Sequence, residues 1–212
     1  TPQAEDALIW EDPEHKEWEA TPAVTDDGKY LVLTLHKGTD AKYRVLYRPF
    51  DQPDAKPTHL VGDFDAEYEF LDSDGPVFWF KTNKNAPRGK VIAIDTRSPQ
   101  PEHWTDVVPE AGETLESVDL VGDHFLAVYL KDARSLVRVF DLKGKYVRDV
   151  DLPGIGTAMG FHGKRHDKET FYSFTSFTSP SSIYRYDVAT GQSALWKQPK
   201  LKFDPSNYET TQ

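Results

Sequence analysis

Three glycines, Gly28, Gly75 and Gly122, stand 47 residues apart each time, and each sits at a turn before a strongly apolar run, at 30–35, 77–81 and 125–130. Asp95, Asp141 and Asp187 close three further apolar runs at a constant spacing of 46. A repeat of roughly 40 to 50 residues holding several short strands is the pattern of β-propeller blades, each of which needs neighbours to bury its faces. The one-residue difference between the spacings belongs in a loop, which absorbs it without disturbing strand pairing.

The expected class is therefore all-β: a β-propeller segment of about four four-stranded antiparallel blades. Segment 1–20 carries the apolar residues Ala7, Leu8, Ile9 and Trp10, then an acidic turn, and reads as the outer strand and exit loop of a preceding blade. Four units follow at about 21–64, 65–112, 113–154 and 155–201, with 202–212 as a linker. Strands are expected at 30–35, 43–47 and 58–61 in the first unit and at 68–71, 77–81, 90–94 and 104–108 in the second. In the third they are expected at 115–120, 125–130, 136–140 and 146–150, and in the fourth at 158–161, 169–174, 183–186 and 194–196. Period-2 alternation and β-branched content leave no room for an amphipathic helix longer than about two turns.

Composition narrows the function. With 38% hydrophobic and 13% aromatic residues, the 212-residue chain has material for a large core. No apolar run approaches the roughly 18 residues of a membrane span. The net charge of −10, without a basic stripe, disfavours a nucleic-acid partner. Zero cysteines exclude a thiolate nucleophile and cysteine-ligated zinc, and fit either the cytoplasm or a bacterial periplasm. The first residue, Thr1, predicts a removed leader or a longer parent protein.

Chemistry-bearing patterns read as structure. No Gly-x-Ser-x-Gly elbow is present, and the serines at 173, 176, 179, 181 and 182 lie on a strand running into a turn, where hydroxyls bond local backbone. His162 and His166 have zinc-like i, i+4 spacing but sit in a polar loop beside Lys164 and Arg165, so no metal site is expected. Gly154, Gly156 and Gly160 mis-space a dinucleotide loop, and Asp72, Asp74 and Gly75 form a hairpin turn rather than a calcium loop. No cofactor is expected. The aromatics Phe78, Trp79, Phe80, Phe171, Tyr172 and Phe174 read as packing between blades.

Several segments resemble the prolyl oligopeptidase family: Phe80-Lys81-Thr82-Asn83, Leu115-Glu116-Ser117-Val118, the block from Phe174 to Pro180 with Ile183-Tyr184, and the tail from Phe203 to Gln212. That resemblance implies the last four blades of a seven-bladed propeller capping an α/β-hydrolase peptidase domain with a Ser-Asp-His triad. The cap would admit flexible proline-containing oligopeptides and exclude folded proteins by size. It implies partners in the remaining blades and the peptidase domain, and no catalytic residue within this chain. The family's rim positions that touch substrate correspond to Glu19, His36 and Thr39, where mammalian members carry an apolar residue, an arginine and a cysteine. An alternative reading is a stand-alone, non-enzymatic propeller module that binds a peptide or protein on one face.

Overall fold

The computed structural model describes residues 2, 5, 6, 8–52, 54–200 and 208. It contains four four-stranded antiparallel sheets, each a meander in chain order. The first holds β1 (Trp18–Val24), β2 (Tyr30–Lys37), β3 (Tyr43–Pro49) and β4 (Thr58–Val61); the second holds β5 (Tyr68–Asp74), β6 (Val77–Thr82), β7 (Lys90–Asp95) and β8 (Thr105–Val108). The third comprises β9 (Thr114–Val121), β10 (His124–Lys131), β11 (Arg134–Asp141) and β12 (Tyr146–Asp149), and the fourth β13 (Thr157–Gly160), β14 (Glu169–Thr175), β15 (Ser182–Asp187) and β16 (Ser193–Lys197). A short 3₁₀ turn, Pro101–His103, interrupts the β7–β8 connection.

The repeat is visible in the backbone. Gly28, Gly75 and Gly122 join the first strand of a sheet to the second, at φ +69°, +54° and +58°, a left-handed region that costs a side-chain-bearing residue about 1 kcal/mol. Asp141 and Asp187 tie the turn from third to fourth strand. Asp141 Oδ1 accepts the Lys143 and Lys145 N–H groups at 2.9 Å, and Asp187 Oδ1 accepts the Thr190 N–H at 2.7 Å. Asp95 does the same for the Arg97 N–H at 2.9 Å. In the first sheet β3 ends at Pro49, so that turn lacks the acid.

β1 begins at Trp18, within the segment read as the exit of a preceding blade, and pairs with β2 from Trp18↔Lys37 to Val24↔Leu31. It is a sheet edge whose residues are mostly exposed, and Trp18 and Ala20 are the ones that pack on the core. An edge strand also tolerates Pro22, which has no N–H to give a ladder. Leu8, Ile9 and Trp10 carry no strand, and Trp10 packs instead on Leu31, Leu33, Leu35 and Leu46. Ala7 and the 202–212 linker lie outside the described residues, Tyr208 excepted.

The chain divides into two compact units, 1–85 with 92–105, and 86–91 with 106–212. In the first unit Val32 and Val45 meet Tyr68, Phe78, Phe80, Ile92 and Ile94. Phe78 takes the edges of Tyr30 and Tyr47 with centroids 5.1 and 5.4 Å away. In the second unit Leu126, Val128, Val137 and Val139 pack on Ala158, Tyr172, Phe174 and Tyr186, with Phe161 and Tyr184 stacked on either side of Tyr172. Five of the six aromatics singled out are buried; Phe171 is not. β14 alternates, so Thr170, Tyr172 and Phe174 point inward while Phe171 turns to the other face beside Trp196, 5.6 Å away.

A Cβ on Gly28 would meet nothing within 4 Å, whereas one on Gly122 would lie 2.8 Å from Val188 Cγ1 and 2.9 Å from the Asp167 carbonyl oxygen. Gly28→Ala is expected to cost about 1 kcal/mol of backbone strain, and Gly122→Ala about 2–4 kcal/mol because overpacking adds to it. Urea midpoints check this, and equal losses at the two sites would contradict it. The N–H groups of Lys145 and Lys143 hold the Asp141 carboxyl below its usual range. Its contribution is thus complete above the unfolded pKa near 4 and is lost as pH falls through the folded value. Asp141→Asn should flatten the decline in urea midpoint between about pH 5 and 3; an unchanged slope would refute the assignment.

Candidate substrate groove on the first two sheets

The inner face of the first sheet changes character along its length. Ala23, Val32 and Val45 lie on one face with Thr21, Thr34, Glu19, His36 and Tyr43, because paired and alternate residues point the same way. Val32 and Val45 are buried in the core, and toward the end that holds the start of β1 the face becomes polar. There Thr21, Ala23, Thr34, His36 and Tyr43 oppose Tyr68 and Phe70 across an open groove of about 290 Å³, and Glu67 and Glu69, which share the other face of the second sheet with Lys81, reach it at its rim.

Glu19 and His36, 17 positions apart in sequence, are direct cross-strand partners. The His36 Nε2 lies 3.2 Å from Thr21 Oγ1, and its ring meets the Tyr43 ring edge-on at 4.6 Å. Thr39 is not brought to them: it is exposed in the β2–β3 turn, where the Asp40 N–H bonds the Lys37 carbonyl at 3.1 Å, and does not line the groove. The two sheets are tied beside it by the Tyr43 N–H, which donates to the Ala66 carbonyl at 2.9 Å.

Sequence reading missed the groove's second wall. Glu69 pairs with Lys81 across β5 and β6, and the Lys81 ammonium donates to Glu69 Oε2 at 3.0 Å and lies 3.9 Å from Glu67 Oε1. The Lys81 side chain is 11% exposed; those of Glu67 and Glu69 are 31% and 46% exposed, so the cation is turned inward and the acids outward. Burial foremost, then the Glu67 and Glu69 charges, push the Tyr43 hydroxyl above its ordinary 10.0, with Lys81 pulling the other way. The corresponding acid in the third sheet, Glu113, is matched instead by Arg138, at 3.2 and 3.5 Å, and by Lys131 at 3.7 Å. Burial pushes the nearby Tyr129 hydroxyl up to about 12.

Elsewhere polar groups close loops. The Ser176 Oγ accepts the Ser179 N–H at 3.0 Å, the Ser182 hydroxyl donates to the Pro180 carbonyl, and that of Ser173 to the Met159 carbonyl. Ser98 Oγ lies 2.6 Å from His103 Nδ1, but Gln100 Oε1 shares that nitrogen at 3.3 Å within the same exposed loop. His162 Nδ1 meets Asp119 Oδ1 at 2.8 Å; among the described residues no three His, Asp or Glu side chains gather as a metal would need. Asp72 Oδ1 accepts the Asp26 N–H at 3.1 Å, joining the first hairpin turn to β5, so the residue expected in the second turn belongs to the strand.

Lys81→Met removes a cation that lowers the Tyr43 hydroxyl while the two acids remain, so Tyr43 should titrate still higher. Alkaline titration of ring-labelled tyrosine by ¹³C NMR checks this, and a downward or absent shift would contradict the groove's electrostatics.

Comparison with known proteins fits this architecture. The sequence model for the prolyl oligopeptidase N-terminal β-propeller domain matches residues 1–199. Prolyl endopeptidase from Elizabethkingia miricola is 34% identical over 212 residues, all of this chain and 30% of that protein, and the Elizabethkingia meningoseptica enzyme is 36% identical over 189 residues, 89% and 26% respectively. Among solved structures, one from a mechanistic study of two prolyl endopeptidases superposes with TM-score 0.89 at 35% identity, covering 97% of this chain and 30% of that one. Prolyl oligopeptidase B from Galerina marginata gives 0.89 at 26% identity, over 99% of this chain and 31% of that one. The chain thus spans about 30% of the length of these relatives, and it belongs to the prolyl oligopeptidase N-terminal β-propeller family.

Proposed function

We propose that the chain is the substrate-gating propeller portion of a serine endopeptidase that cleaves short peptides after proline, and that it contributes no catalytic residue itself. The observation that carries this reading is the 34% identity to a prolyl endopeptidase along the whole chain, over 30% of that enzyme. Its partners would be further blades and an α/β-hydrolase peptidase domain, with the four blades at about 21–64, 65–112, 113–154 and 155–201 and with 202–212 as the link. Gating is steric: sheets packed as rigidly as those within each unit would exclude a folded protein and admit a flexible peptide. Glu19 and His36, side by side on β1 and β2, would border the passage, with Thr39 at the adjacent turn.

Incubation with a fluorogenic proline peptide and a fluorophosphonate probe tests the proposal. The 212-residue chain is expected to be silent in both assays, and a longer protein carrying it to cleave after proline and to label at a serine outside residues 1–212. Labelling of any serine within the chain would overturn it.

A further inference from the structure

We propose that the groove between the first two sheets selects proline peptides that carry a lysine or arginine near the proline. The inference rests on reading the groove as a substrate surface. Glu67 and Glu69 are the only charged residues among those lining it, apart from the titratable His36 and Tyr43. At the rim, Lys81 lies beside those two acids on the same face of the sheet, its side chain largely buried, and one cation leaves one negative charge of the pair unbalanced on the water side. Glu19, exposed at the start of β1 beside His36, adds a second. Tyr43 and Phe70 are half-buried and supply aromatic surface for the aliphatic stem of a lysine or the plane of a guanidinium. In the third sheet the acid at the same place in the repeat is neutralised by Arg138 and Lys131, so the unbalanced charge is a property of this groove and not of every blade.

Exposed charges of this kind act over short range and are screened by salt, so the selectivity should be modest, about three- to tenfold. The experiment compares kcat/KM of the intact protein for peptides with lysine, norleucine or glutamate at each of the three positions before proline, alongside fluorescence anisotropy of the labelled peptides. At low ionic strength lysine should exceed glutamate by that factor, with norleucine between them. The difference should collapse in 1 M salt, where the Debye length is about 3 Å. Glu19→Gln and Glu67→Gln should each reduce the preference; both leave Glu69 in place as the 3.0 Å partner of Lys81, which preserves the fold.

Cleavage of all three peptides at equal rates would overturn this inference and leave the proposed function standing. Absence of cleavage with lysine-selective binding would overturn the proposed function and leave the selectivity standing. Equal binding of all three peptides, or a preference that survives the double variant Glu19→Gln, Glu67→Gln, would overturn the selectivity.

Discussion

Face-to-face burial between neighbouring sheets is the constraint on which the rest of the molecule depends. A four-stranded antiparallel sheet is too small to be stable with both faces in water, and in the first three sheets the second strands are apolar at consecutive positions rather than alternate ones. Residues 78–82 of β6 and 125–129 of β10 are buried without interruption, so both faces of those strands are covered. Within the first unit this packing sets Val32 and Val45 against Phe78, Phe80 and Ile92, and within the second it sets Leu126 and Val137 against Tyr172 and Phe174. Sheets locked in this way hold the ends of their strands at fixed separations, and that is what places His36 and Tyr43 opposite Tyr68 and Phe70, with Glu67 and Glu69 at the rim.

The fourth sheet shows what happens where the constraint relaxes. β14 buries every second residue, and Met159, Phe171 and Trp196 remain exposed on its other face, with Arg185 over the Trp196 ring at 5.8 Å and paired to Glu169 at 3.6 Å. The first sheet solves the same problem differently: Leu31, Leu33 and Leu35 are covered by Trp10, Trp18 and Phe64, and Arg44 lies over both Trp18 and Phe64 at 4.9 and 4.7 Å. The apolar run near the start of the chain, which reads from sequence as a strand of an earlier blade, thus serves in part as a cover for the sheet that follows it.

Much of this fold was legible because turns have strict chemistry. A left-handed glycine at the first hairpin and an aspartate capping the last one repeat at 47 and 46 residues, and the strands between them fall where their apolar runs do. β1 was the least legible strand, since an exposed edge strand containing Pro22 carries little periodic signal. The groove was half legible. Glu19 and His36 were named through family resemblance, yet their adjacency follows only from the β1–β2 register. The second wall was hidden for the same reason: Glu69 meets Lys81 through a hairpin with a register shift between Phe70 and Asp72, which alternation alone does not count. Thr39, one turn beyond the strand end, falls outside the groove because the β2–β3 loop carries it into solvent.

Chemical-shift mapping of a proline-containing peptide titrated into the isotope-labelled protein tests the groove reading most directly. Perturbations concentrated at Thr21, Thr34, His36, Tyr43, Glu67 and Glu69 are the predicted result. Shifts centred instead on the loop around Asp119 and His162, or spread without focus over the four sheets, would contradict it.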